Sequence, residues 1–522
     1  MPDKSYRPWL PAHPTLLPTD VRRWLPEDHH VWFVLELVER VDISRIEARI
    51  QAKDPRGTTP YDPRMMTALL VYAYAVGVFS SRRIERATYE DVAFRILTGD
   101  QQPDHDTIAT FRRENLAEFR DLFVQVLRLA ATMGLVSFGV LGLDGVKILA
   151  NASKHQAMSY DRMKKDVERL TKEIEQLLAR AEQADGDEQA RFGDGRIADI
   201  PAEIARRKER KVKIEEAMAA LEADARAARA AELREQAERH EQKAADETVD
   251  EAEQKRAATL AEKRRAALEQ LEAAAGESDD DDDDDNDSSQ PAGGDLPQHQ
   301  VPHERDGTPK DSAQRNFTDA ESRIMVRDGD HYVQAYNAQA LVDNANQIVV
   351  STGVGNQAPD AEYLPPMLER ANANLAAAGV ARPQRTPMAA DAGYFSEANV
   401  AAAEALGFDP YIAPERSRRA RPELAALDDT GPPPAAGSGE ATSPPTAKGT
   451  MRAKLQTKEG ARIYGLRKTT PEPVFGQILE VRGFRRFLLR GLEKVNAEWN
   501  LVTLTHNVLK LWRSGRELPA PA

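Results

Sequence analysis

The sequence predicts an α/β protein in which an all-helical N-terminal region precedes a sheet-containing domain interrupted by a long helical segment. Three observations carry this. An apolar run, Phe138-Gly-Val-Leu-Gly-Leu143, ends in Asp144 and Gly145, the pattern of a buried strand delivering a carboxylate to its carboxyl end, with a glycine for close backbone approach. A second run, Met388-Ala-Ala390, ends in Asp391-Ala-Gly393 and leads into a helical stretch from Ser396 to Leu406. A third carboxylate, Glu472, begins a helical pattern behind Tyr464 and Arg467.

Residues 1–134 form the helical region. The first 25 are Pro-rich and predicted irregular. Val31, Val34, Leu35 and Val38 then recur at helical spacing, and Asp62-Pro63 opens a helix whose Met66, Leu69, Leu70 and Ala73 share a face. The stretch from Pro103 continues as a long amphipathic helix ending near Met133, with Ile108, Phe111, Phe119, Leu122 and Val126 on its buried side. Ser80 to Arg83 and Arg112-Arg113 suit either a helix-turn-helix-like DNA contact or a solvated helix face.

The sheet domain begins at 135–160 and resumes at 315–413. Between them, residues 161–276 carry apolar stripes such as Val167, Leu170, Ile174, Leu177 and Leu178 in an Ala/Glu/Lys/Arg background, which predicts a helical hairpin or coiled coil. Residues 277–314 open with nine acids, Glu277, Asp279 to Asp285 and Asp287, and are predicted to be a disordered linker. His331 to Asp343 and Gln347 to Val354 alternate as a β-hairpin, followed by a helix over 361–378, the Asp391 strand, a short helix, and a strand at Phe408–Ile412. Residues 414–450, rich in Pro, Ala and Gly, read as a flexible insertion, and 451–522 as helices, one running from Glu472 to Arg490 and one closing the chain.

At 522 residues the chain exceeds one ordinary core. It has no cysteine, which excludes disulfides, thiolate metal sites and cysteine nucleophiles and suits a reducing compartment. With no membrane-length apolar run and no basic-then-apolar leader, the expectation is a soluble, cytoplasmic protein without a membrane partner. The net charge of -14 is uneven: from Met451 to Ala522, fourteen Lys and Arg face six Glu and no Asp. A basic terminal region binds phosphate whatever the total.

Two aspartates at strand ends and a glutamate on a helix across the sheet are the oxygen ligand set that Mg²⁺ or Mn²⁺ favours, and two such ions serve phosphodiester cleavage. The expectation is that Asp144, Asp391 and Glu472 converge as catalytic and metal-binding residues. Glu480, two turns beyond Glu472, is not separated from it by spacing alone. A glutamate at a helix N-terminus also complements the helix dipole.

At these residues the chain resembles the DDE transposases of bacterial insertion sequences, in particular the group with a Tyr-Arg-Glu-Lys signature. Matching stretches include Asp62-Pro-Arg-Met-Met66, Pro103-Asp-His-Asp-Thr-Ile-Ala-Thr-Phe-Arg-Arg113, Leu143-Asp-Gly-Val-Lys-Ile-Leu-Ala-Asn-Ala-Ser153, Asn316-Phe-Thr-Asp-Ala-Glu-Ser-Arg-Ile-Met325, Tyr336-Asn-Ala-Gln339, Ala390-Asp-Ala-Gly-Tyr-Phe-Ser396 and Glu472-Pro-Val-Phe-Gly-Gln-Ile478. The resemblance implies an RNase H-like catalytic domain, an N-terminal DNA-binding domain, two divalent ions held by Asp144, Asp391 and Glu472, and cleavage and strand transfer at the ends of a mobile element. It implies double-stranded DNA as partner, both element ends and target, and a homodimer on paired ends. Tyr464 and Arg467 match the signature Tyr and Arg, which implies contacts to DNA near the cut.

Two departures stand out. Four residues separate Arg467 from Glu472 where the signature has three, so Lys468 is an alternative occupant of the Arg role. Where the signature has its lysine this chain has Leu479, leaving Arg482, Arg485 and Arg486 as substitutes for holding phosphate. A metal-dependent nuclease without strand transfer and a catalytically inactive, transposase-derived DNA-binding or coiled-coil protein are the competing readings. The helical insertion is either a dimerisation or DNA-end-spanning arm or a tolerated spacer.

Overall fold

A computed structural model describes residues 20–52, 59–188, 200–246, 248–276, 296–327, 329, 331–415 and 446–519. The acidic run at 277–287 and most of the 414–450 insertion lie outside these residues, whereas residues 296–314 of the linker expected to be disordered are described, with Leu296, Val301 and Ala313 buried.

Among the described residues, seven helices between His30 and Thr132 form the N-terminal region. Side-chain caps start several of them: Asp62 accepts from the amides of Arg64 and Met65 with Pro63 in the first turn, and Asp91 and Asp104 cap two more. The helix expected from Pro103 to Met133 is two, His105–Glu114 and Leu116–Thr132. They part at Asn115, whose side chain turns back to the Phe111 carbonyl at 2.7 Å.

Among the described residues eight strands follow: β1 Leu141–Leu149, β2 Ala157–Ser159, β3 Gln314–Asn316, β4 Arg323–Val326, β5 Tyr332–Asp343, β6 Val349–Gly355, β7 Thr386–Ala390 and β8 Phe408–Ile412. The main sheet runs β4-β5-β1-β7-β8, with β6 also paired to β5. β5 is antiparallel to β1, β4 and β6, whereas β7 is parallel to both β1 and β8. The helix Leu364–Ala377 covers β6, as does the closing helix Leu492–Arg513. That closing helix meets the backbone of β6 with two side chains: Asn507 accepts from the Val349 amide and donates to its carbonyl, both at 2.8 Å, and Asn496 accepts from the Val354 amide at 3.2 Å.

The β1 strand is longer than the apolar run predicts. It starts at Leu141, after Phe138 turns with φ 54°, and continues beyond Asp144 to Leu149 because β5 pairs its whole length. Asp144 is therefore inside a strand rather than at its end. The parallel pairing with β7, however, stops at Leu143↔Ala390.

The insertion is helical: Tyr160–Glu188, Ile200–Ala245 and Glu251–Gly276, the second packing on both others. The short β2–β3 pair closes its base. Leu170 is buried with Met158, Met163 and Ile214, while Leu178 is exposed. The helix expected over 472–490 ends early. Pro471–Gly476 is α-helical, Gln477–Val481 is a π turn, and Gly483 (φ 76°) takes the chain out of the helix. N-terminal helices, sheet and closing helix share one hydrophobic core. No described helix is long and apolar enough to cross a membrane.

Candidate active site

The register of β1 against β7 explains why two aspartates far apart in sequence meet. Leu143 pairs with Ala390, so Asp144 and Asp391 occupy the next step of the same register on neighbouring strands, whose spacing is about 4.8 Å. Side chains alternate along a strand, which puts Gly142 and Asp144 on one face and Gly145 on the other. On the first face the segment carrying Glu472 comes down onto β1. A Cβ on Gly142 would stand 2.9 Å from Pro471 Cδ and 3.0 Å from Thr470 Cβ, so this glycine is what lets the glutamate helix seat so closely.

Asp144 feels the result. Its carboxyl is pushed up to about 6, first by burial and then by the negative charges of Asp360, Asp391 and Glu472, against the pull of the Gly145 amide donating at 2.8 Å. Asp391 has its own counter-charge: Arg467 Nη1 lies 3.1 Å from Oδ1, and the Arg467 guanidinium carbon sits 4.7 Å from the centre of the Tyr464 ring. Burial raises the Tyr464 phenol above its ordinary value. Tyr464, Arg467, Asp391, Asp144 and Glu472 thus form one neighbourhood.

A divalent cation fits this donor set by its chemistry. The set is all oxygen, and burial first, then the charges of Asp360, Asp391 and Glu472, hold the Asp144 proton; a cation relieves the repulsion among those charges. Among the described residues no three His, Cys, Asp or Glu side chains are already gathered in ligating positions.

Sequence reasoning missed what lies behind the site. On the opposite face, Asp360 takes Lys147 Nζ at 3.0 Å, Asn337 Nδ2 at 2.7 Å and Gln339 Nε2 at 3.2 Å, and Gln339 Oε1 accepts from the Tyr394 hydroxyl. Tyr394 closes the turn after Asp391, and Lys147 follows Asp144 on β1. One polar cluster therefore ties the carriers of both aspartates together. Gly145 makes room for it, since a Cβ there would collide with Gln339 Nε2. Burial and the charges of Asp360 and Asp144 raise the Tyr394 phenol well above its usual range, keeping it a donor. The Tyr336-Asn-Ala-Gln339 motif was a visible signal, but Asp360 sits in a loop without pattern.

Two of the arginines expected to hold phosphate, Arg482 and Arg485, are engaged with other groups. Arg482 is buried and spent internally: it donates to the Val502 carbonyl at 3.0 Å, the Thr505 hydroxyl at 2.8 Å and the Tyr74 carbonyl at 3.4 Å. It does not present a charge to phosphate. Arg485 is exposed and paired with Glu480, while Lys468, beside Arg467, and Arg486 are exposed. Leu479 packs, partly buried, against the core. In the N-terminal region Arg112 is also buried, donating to the Tyr74 hydroxyl at 2.9 Å and the Phe79 carbonyl at 3.1 Å, so it is not part of a DNA-facing surface; Arg82, Arg83 and Arg113 are exposed.

Comparison with known proteins gives two matches. Residues 19–114 match the family described as Transposase domain (DUF772), and residues 442–512 match that described as Transposase DDE domain. Together they indicate a transposase, of the DDE kind by the second match. The first covers most of the N-terminal helices and the second covers Tyr464, Arg467, Lys468 and Glu472, whereas Asp144 and Asp391 lie outside both. No curated protein and no solved structure matches the chain.

Proposed function

We propose that this chain is a transposase that cleaves DNA at the ends of an insertion sequence and joins the freed 3′ hydroxyl to target DNA, with Asp144, Asp391 and Glu472 as its catalytic carboxylates. The observation that carries this is the β1–β7 register, which brings both aspartates to one point under the glutamate helix. The strand order β6-β5-β1-β7-β8, three antiparallel and then parallel, supports an RNase H-like reading of the sheet. Asp144, Asp391 and Glu472 would hold two Mg²⁺ or Mn²⁺ ions, which when bound supply Lewis-acid polarisation of a phosphodiester oxygen. Arg467 orients Asp391, and Tyr464 with the exposed Lys468 offers a hydroxyl and a charge to phosphate. The homodimer on paired ends belongs to the same reading.

Leu479 favours a second reading, an inactive DNA-binding descendant, because the position of the signature lysine is filled by an apolar side chain turned to the core. One experiment separates them: Mg²⁺-dependent cleavage of DNA carrying the flanking element ends, followed by joining to a plasmid. Wild type should cut and join, Asp144→Asn, Asp391→Asn and Glu472→Gln should do neither, and Glu480→Gln should retain activity. Cutting without joining would leave a nuclease. A wild type that binds but never cuts would favour the inactive descendant.

A further inference from the structure

Where the helical insertion leaves the sheet, its first two helices and the β2–β3 pair enclose a cleft of about 800 Å³. The second helix turns one stripe toward it. Arg206, Arg210 and Lys213 line the cleft at spacings of four and three residues, a run of roughly 10 Å along the helix axis. Arg162 from the first helix and Arg315 from β3 complete a lining in which five Lys and Arg outnumber two acids, Glu209 and Glu216.

Three of these cations are engaged: Lys213 with Glu209 at 2.7 Å, Arg210 with Asp166 at 3.5 Å and Arg315 with Asp224 at 2.6 Å. Among the described residues Arg162 and Arg206 form no ion pair, and both are exposed. Phe317, also in the lining, is left 38% exposed, which a merely solvated polar face does not require. Elsewhere on the insertion, charges neutralise one another along a helix, as Lys165 does with Asp161, or between helices, as Arg207 does with Glu173 and Arg234 with Glu272. In the cleft, cations from three elements converge on a concave space, and concavity concentrates their potential.

We propose that this cleft binds the phosphate backbone of double-stranded DNA, making the insertion a second DNA contact separate from the carboxylate site. The inference rests on the transposase reading above. Two unpaired guanidinium groups on different helices suit neighbouring phosphates, each as a bidentate donor. The Lys213–Glu209 pair is exposed on both sides and holds its cation weakly, so it yields to a stronger anion.

The test is the salt dependence of binding to a long mixed-sequence duplex, measured on the full chain by fluorescence anisotropy. Each lost phosphate contact lowers the slope of log affinity against log salt by about 0.9, so Arg162→Ala/Arg206→Ala should lower it by about 1.8 and weaken binding severalfold at low salt. Arg162→Lys/Arg206→Lys should keep the wild-type slope, and both variants should melt as the wild type does. A wild-type slope and affinity in the alanine variant overturn the cleft and leave the transposase reading standing. A wild type that binds no duplex overturns both.

Discussion

Asp144 is the residue on which the site's electrostatics concentrate. In the unfolded chain it titrates near 3.8, and in the folded chain burial and three neighbouring carboxylates push it up to about 6. A raised carboxyl pKa means the folded state binds the proton more tightly. Its contribution to stability is then fully present below the unfolded value and lost as the pH rises through about 6. The loss at neutral pH amounts to at most about 3 kcal/mol, because each tenfold gain in proton affinity is worth about 1.36 kcal/mol. Asp144→Asn removes a group that must ionise among like charges. In chelator at neutral pH it is therefore predicted to melt above the wild type, the gap closing below about pH 4. Cleavage in the same variant should fall by ~10³-fold or more. Added Mg²⁺ should raise the wild-type melting temperature and leave that of the variant nearly unchanged. Calorimetry across pH checks the first part, and a variant less stable than wild type at neutral pH would sink the like-charge account.

Between elements, the decisive contact is the seating of the Glu472 helix on β1 through Gly142. An alanine there puts its methyl 2.9 Å from Pro471 Cδ and 3.1 Å from Pro471 Cγ, too close to stay without movement. Overpacking of this kind costs about 1–3 kcal/mol, whereas displacing a catalytic group by an ångström costs ~10²-fold in rate. Gly142→Ala is thus predicted to lose cleavage far out of proportion to its small drop in melting temperature. A variant with normal cleavage would show that Glu472 does not depend on this seat. The sequence made the participants of this contact legible, because both strands are apolar runs ending in a carboxylate and Glu472 opens a helix. It also revealed the β5–β6 hairpin, through period-two alternation, and β8. It did not reveal that β1 runs on to Leu149, since that extension comes from pairing with β5, a partner about 190 positions away in sequence. Strands of three or four residues such as β2, β3 and β4 carry too little pattern to be seen. Arg482 misled for a related reason: a basic residue among other basic residues resembles a surface patch, while its partners sit at Tyr74, Val502 and Thr505.

At the scale of the whole molecule, the sequence suggests an N-terminal domain joined to a catalytic one, but the two share a core. Phe79 packs edge-on against Phe484 with centroids 5.0 Å apart. Buried beside them, the Tyr74 hydroxyl accepts from Arg112 at 2.9 Å and donates to Glu498 Oε1 at 3.2 Å, while Glu498 Oε2 takes the amides of Leu488 and Leu489 at 2.9 and 3.1 Å. One phenol therefore links a helix of the N-terminal region, through the closing helix, to the loop that follows the Glu472 segment. Removing the hydroxyl leaves a buried guanidinium and a buried carboxylate each short of a partner, a loss of about 1–3 kcal/mol. Because the core is continuous, that loss cannot stay local. Tyr74→Phe is predicted to lower protection of slow-exchanging amides in the helix Pro63–Ala75 and in β1 by the same free energy, measured by hydrogen exchange under native conditions. Were the helix to lose protection while β1 kept its own, the N-terminal region would unfold independently and the fused core would be only a contact between two separate domains.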